Sequence, residues 1–234
     1  MRIRKKPHLR ISIAVALLGL CPPWAHAADF AARCNLLTNQ ANVMVEFQDR
    51  EVMTDESHTV QALNEMSGKL VGGPSNILGL THAKPSFQMN VMVRAITNKK
   101  GQACAIPNIK LTLGFSAFVV YLARDLTDGC RREVIRAHEQ EHVGTWKSHL
   151  RASAQMLPGV LRRELGEMGE ARIYDSREEA EAAVRTQATG LVTPWLARIA
   201  AAATEAQLAI DTPMSYTGVV NRLRACPGGA RGGR

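Results

Sequence analysis

The stretch Val134-Ile135-Arg136-Ala137-His138-Glu139-Gln140-Glu141-His142-Val143 decides the reading of this chain. Its apolar and charged residues recur with a helical period. On a helix, residues four apart stand one turn above each other, so His138 and His142 present their imidazoles on one side. Val134, Ile135 and Trp146 fall on that same side, whereas Arg136, Gln140, Lys147 and Arg151 fall opposite, so the histidines face the interior. Two imidazoles held this way can share one zinc ion. Glu139 stands one residue further round, close enough to hold a water on the ion without being a ligand. It would take a proton from that water while zinc lowers the water's pKa and polarises a scissile carbonyl. A pair of core histidines satisfied by hydrogen bonds would present the same stripe.

A catalytic zinc has three protein ligands plus water, and the third is not obvious here. His149 shares the face, but on an unbroken helix it lies seven residues, roughly 10 Å, beyond His142. The extended pattern H-E-x-x-H-x-x-G-x-x-H needs glycine at 145 and histidine at 148; this chain has Gly144 and His149. Glu164, Glu167 and Glu170 are the candidates from a following helix. Asp211 and Tyr216, in Asp211-Thr212-Pro213-Met214-Ser215-Tyr216, are the candidates after the last helix.

Upstream of the motif the chain reads as strands. Val43 to Phe47 alternates in part, Phe87 to Ile96 is rich in Val, Met and Ile, and Ile109 to Leu113 alternates apolar with polar. Phe118 to Leu122 is a short continuous apolar run. Gly72-Gly73-Pro74-Ser75 and Asn98-Lys99-Lys100-Gly101 punctuate these segments, and a short helix fits Thr59 to Met66. The site helix starts after Asp128, a residue able to cap it, and is expected to end near Met156, ahead of Pro158 and Gly159. Ser176 with Glu179 is a capping box for a helix to about Thr189, with another following Gly190 and Pro194 to about Ile210. The expected fold is therefore α+β, a small N-terminal antiparallel sheet packed on the site helix and followed by a helical C-terminal part. The expected division is a leader over 1–27, an α+β domain over 28–160, a helical extension over 161–226 and a disordered tail over 227–234.

The first residues carry Arg2, Arg4, Lys5, Lys6 and Arg10, then the apolar run Ile11 to Leu20 and the small-residue site Ala25-His26-Ala27. This is the order of a secretory signal peptide, cleaved before Ala28. Leu20 before Cys21 argues against a lipoprotein, and the apolar run is too short to span a bilayer. Without the leader, 24 basic residues stand against 21 acidic ones, a net charge of +3, so the high isoelectric point is no nucleic-acid footprint. Four cysteines remain: Cys34, Cys104, Cys130 and Cys226. In a periplasmic or secreted protein an even count favours two disulfides. The expected pairs are Cys104 with Cys130 and Cys34 with Cys226, and no C-x-x-C spacing favours a thiolate metal site.

Val119-Val120-Tyr121-Leu122-Ala123-Arg124-Asp125-Leu126, then Cys130, then His138-Glu139-Gln140-Glu141-His142-Val143, resembles the predicted secreted zinc-dependent proteases of bacteria, a zincin-like family. The resemblance covers about residues 100 to 160 and differs at Glu141, where those proteins often carry a smaller residue. It implies His138 and His142 as zinc ligands, Glu139 as catalytic base, and a peptide or protein substrate in the cell envelope. In zincins an edge strand beside the site helix pairs with the substrate backbone; Ile109 to Leu113 and Phe118 to Leu122 are the candidates. The rival reading is a catalytically inactive envelope binding or scaffold protein of the same fold.

Overall fold

The computed structural model describes residues 24–68, 76–167 and 172–227. The sheet is organised by a hairpin of two long strands, β3 (Gly79–Thr97) and β4 (Ala103–Leu122), joined by the expected turn at Asn98 to Gly101. Gly101 closes that turn at φ 84°, a left-handed conformation that a side chain would strain. Two short strands, β1 (Asn42–Phe47) and β2 (Met53–Asp55), pair in succession with 108–113 and 119–121 of β4. Both run parallel to it, so the fold is α+β but the sheet is mixed, and the expectation of an antiparallel sheet is corrected. Alternation marks a segment as a strand without fixing its partner's direction. Here the chain crosses over through β2 and α2 (Val60–Met66) before entering the hairpin, which sets β1 parallel to the hairpin's second strand.

The two segments read as separate strands at 109–113 and 118–122 are one strand. From Ile109 on, the most deeply buried side chains sit at odd positions, Ile109, Leu111 and Leu113, then at even ones, Phe118, Val120 and Leu122. The register with β3 slips between Lys84 and Pro85, leaving Ser116 without a partner. One inserted residue reverses odd and even, and so keeps the same face of β4 against the core. Pro85, which has no amide hydrogen to give, sits at that slip.

The helices α3 (Gly129–Glu167) and α4 (Arg177–Ile210) pack on the sheet, and α5 (Pro213–Ala225) packs on α3 and α4. Both breaks expected at proline are absent. Pro158 lies inside α3 and Pro194 inside α4. Proline removes one amide bond and crowds the preceding turn. Leu157 and Leu161, fully buried to either side of Pro158, and Val192 and Ile199 around Pro194 belong to the same core as the sheet, and that burial outweighs the lost bond. Asp128 and Ser176 cap as expected, accepting from the amides of Arg131 and Glu179.

The disulfides are Cys34–Cys104 and Cys130–Cys226, correcting both expected pairs. Cys104 is at the start of β4, whose eighteen further steps to Leu122 span up to roughly 60 Å. The eight residues from there to Cys130 can retrace at most about 28 Å, so those two cannot meet. Cys104 instead meets Cys34 on α1 (Trp24–Thr38), where Phe30, Leu37 and Ile106 form a small separate core. The expected leader lies outside the described residues except for 24–27, the first turn of α1; cleavage before Ala28 would leave Phe30, Cys34 and Leu37 in place. The turn at Gly72 to Ser75 and the tail from Gly228 also lie outside them. Among the described residues no helix is long and apolar enough to cross a membrane.

Candidate metal centre

His138 and His142 lie one turn apart on α3, buried, with ring centroids 5.0 Å apart and planes nearly perpendicular. Their Nε2 atoms converge on one carboxylate oxygen, Asp211 Oδ1, at 3.2 Å each. Of the five candidates for a third donor within the described residues, Asp211 is the one brought to both imidazoles. It caps the C-terminal end of α4, and the next helix begins two residues on, with Thr212 as its cap and Pro213 in its first turn. The Ser215 hydroxyl closes this corner by donating to the Ile210 carbonyl at 2.6 Å. The Asp-Thr-Pro sequence thus stops one helix, starts another, and leaves a carboxylate at the corner.

The corner also brings in Tyr216, whose ring stands edge-on to His138 at 5.5 Å. The remaining candidates are engaged elsewhere. His149 Nε2 contacts the Ile199 carbonyl oxygen, the Glu164 carboxylate accepts from Trp195 Nε1, and Glu167 pairs with Arg163. Glu170 lies outside the described residues.

Glu139 is buried, and its Oε2 accepts a 2.7 Å hydrogen bond from the Thr81 hydroxyl on β3. Burial raises its carboxyl above the usual range, and the Thr81 bond and the nearby histidines offset this only in part. Burial also pushes the Tyr216 phenol up, helped by Glu139 and Asp211. Burial opposes ionisation of Asp211 too, but its bonds to His138 and His142 hold the carboxyl well below the ordinary range. For His142, burial favours the neutral ring, and the bonds to Asp211 and Gln207 outweigh it, so the net shift is upward.

The start of β3 fits around Glu139 with no room to spare. A Cβ at Gly79 would lie 2.6 Å from both Glu139 Oε1 and Ile135 Cγ2. Both neighbours are buried side chains that cannot swing into solvent. Gly79→Ala is therefore expected to cost about 1–3 kcal/mol as overpacking, read as a lower midpoint in denaturant unfolding. An unchanged midpoint would mean that Glu139 is not held where it stands.

The donor set suits a divalent metal of borderline softness: two imidazole nitrogens and a carboxylate oxygen, all within 4.8 Å of one another. Tetrahedral zinc with bonds of about 2.0–2.1 Å separates its ligand atoms by roughly 3.3 Å, close to the 3.2 Å found between each Nε2 and Oδ1. A second cluster, Asp128 with Cys130 and Cys226, offers no thiolate because the two cysteines are bonded to each other.

Sequence reasoning missed Thr81, Gly79 and Gln207. Gln207 stands one turn before Asp211, as His138 stands one turn before His142. That parallel spacing was the available signal, masked by an alanine-rich stretch fully explained by helix propensity. The expected substrate strands are corrected as well: 109–113 and 118–122 both belong to β4, which is paired with β3 on one edge and with β1 and β2 on the other. No protein-family model matches this chain, and neither a curated protein nor a solved structure matches it at a significant level.

Proposed function

We propose that this chain is a zinc-dependent peptidase of an oxidising, extracytoplasmic compartment, related to the predicted secreted zinc-dependent proteases that its motif region resembles. The observation that carries the reading is the convergence of His138 Nε2, His142 Nε2 and Asp211 Oδ1, with the carboxyl of Glu139 alongside. The rival, an inactive envelope binding or scaffold protein, draws its support from the lack of a third ligand, and Asp211 supplies that donor. Two disulfides suit export.

Zinc, when bound by His138, His142 and Asp211, would acidify a water and polarise the substrate carbonyl. The chain's own residues supply the rest. Glu139 accepts one proton as the water oxygen attacks the carbonyl carbon, and delivers it to the amide nitrogen as the C–N bond breaks. Its raised pKa moves it toward the working range of a general base. Thr81 holds one carboxylate oxygen, so the other is left to act on the water. Tyr216, kept protonated, remains a hydrogen-bond donor in the same cluster.

Among the described residues β3 is paired on one edge only, and its first residues run beside Glu139. An extended peptide adding to that free edge near Gly79 to Ala83 would pass the cluster. Glu139→Gln is expected to lower the turnover of a fluorogenic peptide library by about 10²–10⁴-fold while zinc content stays at the parent level. Equal turnover in the variant would remove the base from the mechanism, and a parent without turnover would favour the binding protein.

A further inference from the structure

The inference rests on the metal reading above and concerns the residue that prepares His142 for it. Gln207 Oε1 lies 2.8 Å from His142 Nδ1, and the other end of the same amide, Nε2, donates to the His142 backbone carbonyl at 3.4 Å. The second bond fixes which way the amide points: its NH₂ end faces the carbonyl, so its oxygen end faces the ring. A carbonyl oxygen only accepts, so the hydrogen between them belongs to Nδ1. A neutral imidazole with hydrogen on Nδ1 has its lone pair on Nε2. Nε2 faces Asp211 Oδ1 at 3.2 Å: with a hydrogen on it the ring donates to the carboxylate, and with that hydrogen lost its lone pair is free to take an ion.

We propose that Gln207 is a positioning residue for the metal centre, holding His142 in the tautomer whose Nε2 lone pair faces the ion. His138 has no equivalent aid: its Nδ1 is buried without a hydrogen-bond partner among the described residues. The two imidazoles are therefore unequal, and His142 is the one oriented from both sides. Gln207 and Asp211 stand four residues apart on α4, so one helical turn delivers both the third donor and the group that sets the second. The arrangement matches a general feature of metal-binding histidines, whose far nitrogen is held by an acceptor that fixes ring and tautomer.

The test uses the full chain with Gln207→Met, similar in length but with no amide, and Gln207→Glu, which still accepts from Nδ1. Zinc affinity is measured by competition with a chromophoric chelator. Gln207→Met is expected to weaken binding about 10–100-fold, and Gln207→Glu to stay within a few-fold of the parent by the same argument. Melting temperatures of the chelator-treated proteins are expected to match, which a merely structural glutamine would not allow. Long-range ¹H–¹⁵N spectra of the histidine rings at alkaline pH, on chelator-treated protein so that no ion sets the tautomer, should show His142 as the Nδ1–H form in the parent and not in Gln207→Met. Gln207→Met binding zinc as tightly as the parent, or Gln207→Glu failing with it, overturns the proposal. Should the parent hold no zinc, the metal reading falls, and the ring spectra alone decide whether Gln207 sets the tautomer.

Discussion

Asp211→Ala is expected to lower zinc affinity by well over 100-fold, more than the roughly 10–100-fold that follows when a ligand loses its hydrogen-bond partner. The variant removes the single oxygen on which both imidazoles converge, and leaves two ligands where a catalytic zinc needs three. Among the described residues no other carboxylate stands ready to replace it, because Glu164 is engaged by Trp195 and Glu139 is tied to Thr81. Asp211→Asn separates charge from geometry: its amide oxygen can still approach the ion but brings no negative charge, so it should fall between parent and alanine. Native mass spectrometry and chelator competition on the three proteins would rank them. Should Asp211→Ala keep its zinc while unfolding more easily, Asp211 would be a hydrogen-bond acceptor for two core histidines and not a ligand.

How much of this was legible beforehand depends on whether the information is local. The site helix was legible because its period, its cap at Asp128 and its buried face are all written within a few turns. The helix beyond Met156 was not. Pro158 is a strong local stop, and what overrides it is the burial of Leu157 and Leu161 in a core shared with the sheet. The sheet shows the same limit in a second form. Ile109 to Leu113 and Phe118 to Leu122 were each read correctly as strand, but the slip at Ser116 reverses odd and even between them, so no single period runs through both. Strand direction and partner were beyond reach, because alternation is the same for parallel and antiparallel neighbours. The candidate centre divides along the same line: His138, Glu139 and His142 lie within about one turn, so their proximity is legible from their spacing alone. Asp211 was one of six possibilities, chosen only when the corner between α4 and α5 folds across α3. Thr81 and Gln207 act through side-chain hydrogen bonds to residues 58 and 65 positions away, and the one-turn spacing of Gln207 before Asp211 is too common on a helix to single it out.

The cysteine pairing turns that non-local closure into a second large expected effect. Cys130 is at the beginning of α3 and Cys226 at the end of α5, so their bond ties the last helix to the site helix across a separation of 96 residues. By loop-closure entropy a bridge of that span stabilises the fold by about 4–5 kcal/mol. Beyond the cysteine, α5 buries only Val219, and its ion pair to α3, Arg222 with Glu141, is exposed at 3.9 Å. An exposed pair contributes about 0–1 kcal/mol, so beside Val219, the partly buried Leu223 and the Tyr216 ring on His138 the disulfide is the strongest tie of α5 to α3, and α5 in turn backs the Asp211 corner that α4 delivers. The double variant Cys130→Ala with Cys226→Ala should therefore lose both stability and zinc affinity. The other disulfide provides the control. Cys34–Cys104 spans 70 residues and is worth a comparable amount, about 4 kcal/mol, but it fastens α1 to the start of β4 within a separate small core. Cys34→Ala with Cys104→Ala should lower the unfolding midpoint by a similar margin and leave zinc affinity near that of the parent. Equal losses of affinity in both double variants would show that the metal centre responds to overall stability alone, and the specific tie between α5 and the site would have to be given up.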